Sequence, residues 1–413
     1  MKFYIFILLV LLFSFPAYAE DVKLVGGGRL KLIDISMDAL FAGGWSTMND
    51  NTLQNIQGGG HDPRKRGFTV QNVELSFTGA VDPYVNGEAH IVYFLDPLTG
   101  ETRVEMEEAF VTTSSLPYGL QVEAGHFFTE FGRINPRHPH QWHWQDQPII
   151  NTRFFGPDGM RGAGFRLGWL MPLPWFSELH FGLQNANGET MSSFLASEEF
   201  FDERPIGNRP FIEQEVKGLN DLVNLVRIDN SVDLSEDVTA KIGFSGLYGP
   251  NATGANGETI IYGADLVLKW RSAEQIRGWP FLILESEIMK RDYKAAAYFD
   301  DSDPFNVMNI QEETLKDWGF YTQILYGFTA GWAAGLRYEY ATGSGESIGG
   351  RNNDSFRDDR SRFSPLLTWM PTEFSRFRIQ YNYDRSEYLN DKEAHSVWLG
   401  IEFMYGAHPA HSF

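Results

Sequence analysis

Three histidines, His138, His140 and His143, stand close together in one stretch of the chain. Imidazole nitrogen is a ligand for zinc and other transition metals. The spacing is not the i, i+4 pattern of a helical metal site, the chain has no cysteine to assist, and Pro139 holds the local backbone extended. The segment therefore reads first as a packed aromatic and polar loop, and second as a waypoint for divalent cations. Covalent catalysis would need a nucleophile beside a base. No serine pairs with a histidine by sequence, and the carboxylate pairs Glu107-Glu108 and Glu198-Glu199 have no distinguishing context. The expectation is a protein without enzymatic activity and without a cofactor.

The remaining chemistry is charge, and its spacing is regular. Arg376 to Asp384 reads RFRIQYNYD: Phe377, Ile379, Tyr381 and Tyr383 share one face, while Arg376, Arg378, Gln380, Asn382 and Asp384 share the other. A period of two is the strand period, because successive side chains leave a pleated sheet on opposite sides. The same alternation sets Arg166, Glu178, Arg227, Lys241, Asp265, Lys269, Glu285, Glu287, Arg337 and Glu339 against apolar neighbours. An apolar, aromatic outside with a charged inside suits a barrel that has lipid around it and water within it. A charge facing lipid at the midplane costs about 2–4 kcal/mol, so these charges are expected to face the lumen.

These elements recur along the chain. Sixteen candidate strands fall near 30–45, 68–79, 84–95, 103–113, 119–128, 161–170, 175–186, 222–232, 236–248, 259–271, 279–293, 317–328, 331–342, 361–370, 374–386 and 393–405. Their connections alternate. Tight turns such as Asp82-Pro83, Met171 to Pro174 and Pro371 to Glu373 are followed by long loops such as 47–67, 129–160 and 187–221. Proline, glycine and aspartate form turns because they supply fixed or left-handed φ values. A soluble β-sandwich would give many short strands too, but with polar outer faces and no such alternation. Short periplasmic turns and long external loops are the pattern of an all-β, 16-stranded antiparallel transmembrane barrel.

Composition narrows the class. The first residues, MKFYIFILLVLLFSFPAYAE, carry Lys2, an apolar run and the small-x-small site Ala17-Tyr18-Ala19. They read as a signal peptide over residues 1–19, with the barrel occupying 20–413. Fifteen per cent of the chain is aromatic, as interfacial girdles require. The formal charge of −20 excludes nucleic acid as a partner, because phosphate binding needs a basic surface.

The third external loop, about 129–160, carries Phe131, Trp142, Trp144, Phe154 and Phe155 together with Pro136, Pro139 and Pro148. A solvated tip would not expose so many aromatics, so folding into the lumen is expected. Its charged residues Glu130, Arg133, Arg137 and Asp146 would then join the constriction. The signal peptide, the sixteen strands, this loop after Phe131-Gly132-Arg133, the segment Phe154 to Gly159 and the terminal Phe413 together resemble the general bacterial porins, nearest the phosphate-selective porin family. The resemblance implies a homotrimer in the Gram-negative outer membrane, in contact with lipid and lipopolysaccharide. It also implies a third loop folded into the pore, and Phe413 as a signal to the barrel-assembly machinery. Phosphate-selective members line the pore with Arg and Lys, whereas the candidates here mix both signs. The expected function is passive diffusion of small hydrophilic solutes or ions. A metal-recognising uptake protein and a non-conducting anchor or adhesin are the alternatives.

Overall fold

The computed structural model describes residues 33–276, 278–302, 307–348, 354–389 and 391–406. The expected signal peptide and Phe413 lie outside the described residues. The strands are β1 (Asp34–Ser46), β2 (Gly67–Ala80), β3 (Val85–Leu95), β4 (Thr102–Thr113), β5 (Leu120–Phe128), β6 (Arg161–Leu170), β7 (Phe176–Asn185), β8 (Leu222–Asp233) and β9 (Val238–Pro250). They continue with β10 (Glu258–Ile276), β11 (Trp279–Ala295), β12 (Tyr298–Asp300), β13 (Met308–Ile310), β14 (Glu313–Thr329), β15 (Trp332–Ser344), β16 (Arg360–Thr372), β17 (Ser375–Ser386) and β18 (Glu393–Gly406). Sixteen of them form one closed antiparallel barrel, sealed where β1 pairs with β18. The ribbon β12–β13 stands apart in the long connection between β11 and β14.

All sixteen barrel strands fall where the alternation placed them. The ribbon was not anticipated, since strands of three residues are too short to display a period. Strands β10 and β11 also run closer to each other than expected, with Ile276 already paired to Trp279.

Each strand sorts its side chains by the pleat. On β17, Ile379 is 51% exposed while Arg378 and Gln380 are buried. On β18, Leu399 and Phe403 face out, while Trp398 and Glu402 are buried inside. The outer wall carries the exposed side chains of Phe244, Tyr262, Ile288, Leu336 and Phe363. Where the short turns lie, Trp332 stacks on Trp369 at 5.7 Å and Trp369 on Phe377 at 5.3 Å. These rings form a girdle at one interface, apolar on one side and wet on the other. Such an exterior is stable against hydrocarbon, and the protein is an outer-membrane β-barrel. Ile379→Arg is expected to lower the free energy of unfolding by about 2–4 kcal/mol, read from denaturant titration of the barrel in vesicles. An unchanged midpoint would mean that Ile379 does not face lipid.

The turns at that end follow their sequence. Asp82 accepts hydrogen bonds from the backbone N–H of Tyr84 (2.7 Å) and Val85 (2.9 Å), closing β2 to β3. Three short helices, α1 (Asp50–Ile56), α2 (Ile149–Phe155) and α3 (Glu198–Glu203), lie in the long loops of the other end.

Candidate functional site: the third loop across the lumen

Residues 129–160 leave the wall after β5 and return to β6. The base of the loop is closed by Thr129 N–H donating to Met160 O at 2.9 Å. Asn135 staples the two ends, its amide donating to both carbonyls (2.7 and 3.0 Å) and its oxygen accepting from Met160 N–H (2.7 Å). Gly132 turns the chain inward at φ 65°, and a Cβ there would overlap the Glu287 carboxylate. Inside the barrel the loop builds a core of its own. Phe131, Trp142, Ile149, Ile150, Phe154 and Phe155 pack on the inward-facing Leu225, Leu247, Ile261, Met289 and Tyr321. Trp144 packs on Leu325, Ala333 and Leu366, and its indole N–H donates to Ser364 O at 3.0 Å. Gly335 makes room for that ring, since a Cβ would come within 2.9 Å of it.

Polar anchors tie the loop to several arcs of the wall. Asp146 is the largest. Its carboxylate pairs with Arg337 and with Arg362 (3.2 Å), and it accepts from Gln380 (2.8 Å), Asn382 (2.7 Å) and Gln57 (3.2 Å). Those two guanidiniums, against the cost of burial, hold the Asp146 carboxyl down at about 2. Next to it, Arg337 pairs with Glu339 (2.8 Å), which accepts the first helical N–H of α2, at Ile149 (2.6 Å). Arg376 and Arg378 share Glu402 and donate to the loop carbonyls of His140, Trp142 and Trp144. On another arc, Arg137 pairs with Glu285 at 2.9 Å and Arg133 meets Asp229 at 3.4 Å. Arg227 and Asp265 pair at 2.7 Å beneath Arg133. Nearer the loop's start, Arg166 bridges Glu130 and Glu123. Burial would raise the Glu130 carboxyl, but the Arg166, His180 and Arg227 charges hold it down at about 2.

The structure thus divides the expected pore-lining residues. Glu130, Arg133, Arg137 and Asp146 on the loop meet Arg166, Arg227, Asp265, Glu285, Glu287, Arg337, Glu339, Arg376 and Arg378 on the wall. At the level of the loop these wall charges are spent on ion pairs or loop hydrogen bonds rather than bared to water. Glu178, Lys241 and Lys269 lie farther along their strands, toward the end with the short turns. There a cavity of about 570 Å³ is lined by Lys241, Lys269 and Arg271 with Glu236 and Asp237.

The histidines separate as well. His138 lies in a pocket of carboxylates: its Nδ1 is 2.7 Å from Glu107 and 3.4 Å from Glu74, and its Nε2 is 2.8 Å from Glu108. His140 Nδ1 is 3.2 Å from Glu74. Burial works against charge on both imidazoles, yet Glu74 and its neighbours hold both above the ordinary histidine value. His143 is in different company. Burial pushes it down to about 4, and Arg137, Arg376 and Arg378 add to this against the pull of Glu285. The sequence reading missed Glu74, His90, Glu107, Glu108 and Arg362. The alternation of Asn72, Glu74 and Ser76 with Val73, Leu75 and Phe77 was a signal for the first; Glu107-Glu108 had been set aside as lacking context. The expectation that no G-x-S-x-G nucleophile-elbow pattern occurs is wrong: Gly345-Glu346-Ser347-Ile348-Gly349 spells one. Ser347 bonds Asp354 (3.0 Å) and Arg357 (3.1 Å), which is an ion-pair cradle and not a serine–histidine pair.

No protein-family profile matches the chain. A protein of Aquifex aeolicus (strain VF5), described as uncharacterized, is 29% identical over 426 residues, covering 97% of this chain and 81% of the relative. Among solved structures, the chain is similar to the outer membrane channel DcaP of Acinetobacter baumannii, with a TM-score of 0.54, 11% identity, and 92% and 100% of the two chains covered. OmpT of Vibrio cholerae in its trimer form gives a TM-score of 0.52 at 8% identity, covering 90% and 99%. The anion-selective porin of Comamonas acidovorans gives 0.50 at 8% identity, covering 90% and 98%. The fold is one shared with outer-membrane porins and channels. At these identities the likeness is one of architecture.

Proposed function

We propose that the protein is a porin: a passive diffusion channel for small hydrophilic solutes or ions, narrowed by its third loop. One observation carries this reading. Below the apolar packing of the loop, the barrel interior opens into the charged cavity lined by Lys241, Lys269 and Arg271 with Glu236 and Asp237. An anchor or adhesin would have no use for a hydrated, charged interior beneath a loop fastened across it. Lumen charges set the local field and the loop sets the width. The basic wall of the inner cavity gives the passage a preference for anions at that end.

Conductance in planar bilayers tests the channel directly. The folded, inserted protein should give discrete current steps; silence after verified insertion would overturn the reading. Lys241→Glu together with Lys269→Glu should move the reversal potential in a salt gradient toward cations. No movement would mean that solutes bypass this cavity.

The same reading includes a signal peptide over residues 1–19 and a homotrimer. Part of the outward face of β3 to β5 sets Ala89 beside Ala109, Ala109 beside His126 and Val111 beside Ala124. Small side chains with one imidazole suit contact with a neighbouring subunit better than contact with lipid tails. A heat-sensitive gel shift to three times the monomer mass is the expected signature.

A further inference from the structure

We propose that Glu74, His90 and His138 form a binding site for a divalent transition-metal ion of the zinc type, joining the third loop to the β2–β3 wall. The ligand atoms of these three residues lie within 4.8 Å of one another, and all three side chains are buried. His90 Nδ1 is 2.9 Å and His138 Nδ1 is 3.4 Å from the two oxygens of Glu74. Ligands at zinc's usual distances form a tetrahedron with edges of about 3.4 Å, so the site needs little rearrangement. His140 Nδ1 also lies 3.2 Å from Glu74, on the loop side of the three.

Two further observations favour a metal over an ordinary polar cluster. The first is orientation. His90 turns Nδ1 to Glu74 at 2.9 Å, His138 turns Nδ1 between Glu107 at 2.7 Å and Glu74 at 3.4 Å, and each ring presents Nε2 to a carboxylate behind: Glu108 at 2.8 Å for His138, and Glu88 at 3.7 Å for His90. A carboxylate behind a ligating histidine fixes the ring and makes its free nitrogen a better donor. The second is the choice of partner. Other buried carboxylates of this lumen, Asp146, Asp265, Asp317, Glu285 and Glu402, each meet a guanidinium. The partners of Glu74 among the described residues are Ser76, His90, His138 and His140. At Glu74 imidazoles stand where those carboxylates have arginine, and an imidazole can offer a nitrogen lone pair to a cation. Two imidazoles with a carboxylate select zinc-like ions over calcium and magnesium, which prefer all-oxygen shells.

The test uses the full-length, folded protein in detergent, stripped with a chelator and then titrated with zinc. Heat-modifiable migration serves as the folding check for every variant. The expected result is one zinc per chain by elemental analysis and calorimetry, with calcium and magnesium failing to compete. His138→Ala and the wall variant His90→Gln should each weaken zinc binding by about tenfold or more, while His143→Ala, at a site of different charge, should leave it unchanged. A folded wild type that holds no zinc would overturn the proposal. So would equal losses in His143→Ala and His90→Gln, or equal binding of magnesium. The wild-type stoichiometry decides the matter even where a variant fails the folding check.

Discussion

Asp146→Ala should turn a narrow channel into a wider and noisier one. The Asp146 carboxylate lies between Arg337 and Arg362 and accepts from Gln380, Asn382 and Gln57. Removing Asp146 leaves Arg337 with Glu339 and Arg362 with Asp384, each short of one counter-charge in a poorly hydrated place. That costs about 3–5 kcal/mol in comparable cases. The barrel ladder makes no use of Asp146, so the loss falls on the docked state of the loop. The loop tip then leaves β15 to β17, water reaches the two arginines, and the cross-section grows. Single-channel recordings should show larger unit conductance with rapid fluctuations, and trypsin should cut the loop, at Arg153 for instance. Asp146→Asn keeps some of the hydrogen bonds and should fall between. Unaltered conductance and protease resistance in Asp146→Ala would mean that the aromatic core of the loop holds it unaided.

The second large effect is on pH. His143 accepts a proton only near pH 4 while the loop is docked, against an ordinary value of 6.5. Between those values the displaced loop takes up a proton that the docked loop refuses, so docking weakens as the pH falls from 6.5 to 4. The accumulated loss is on the order of 3 kcal/mol. The docked group is faced by Glu285, Arg137, Arg376 and Arg378. Two neighbours on the loop act in the opposite sense. His138 and His140 are held above the ordinary value, so their contribution is complete below 6.5 and is lost as the pH rises through their raised values. Asp146 and Glu130, both near 2, stay charged throughout this window. The informative quantity is therefore the difference between wild type and His143→Phe. Conductance of the wild type should rise more between pH 7 and pH 4 than that of the variant. Superimposable profiles would show that His143 does not report on docking.

Why the sequence was informative about the wall and much less so about the lumen follows from the physics of each. A strand against lipid must present an apolar residue at every second position, so Ile379, Leu399 and Phe403 announce their faces in any sequence. Loop lengths announced which connection was the third and, through Trp142, Trp144 and Phe155, that it could not stay in water. Nothing in the order of residues says which wall carboxylate a loop residue will meet. Glu285 meets Arg137 across 148 positions and Asp146 meets Arg362 across 216. Such pairings are set by how an irregular segment lies across a closed sheet. The inner charges looked like lining and proved in large part to be fastenings. The histidines looked like one group and became two, His138 and His140 among carboxylates and His143 among arginines.

The staple at Asn135 and the anchors beyond it have a mechanical consequence. A closed sheet of sixteen strands is stiff along its strands, but its ring of hydrogen bonds bends easily, and an empty ring flattens into an oval under sideways pressure from the bilayer. The third loop runs as a set of spokes from a hub to the rim: to Glu74 and Glu108 on one side, to Asp229 and Glu285 on another, to Arg337, Arg362 and Arg378 on a third. Roundness of the rim and tension in the spokes are then one property. Whatever loosens the loop also softens the outer wall, and a neighbour pressing on that wall is felt at the hub.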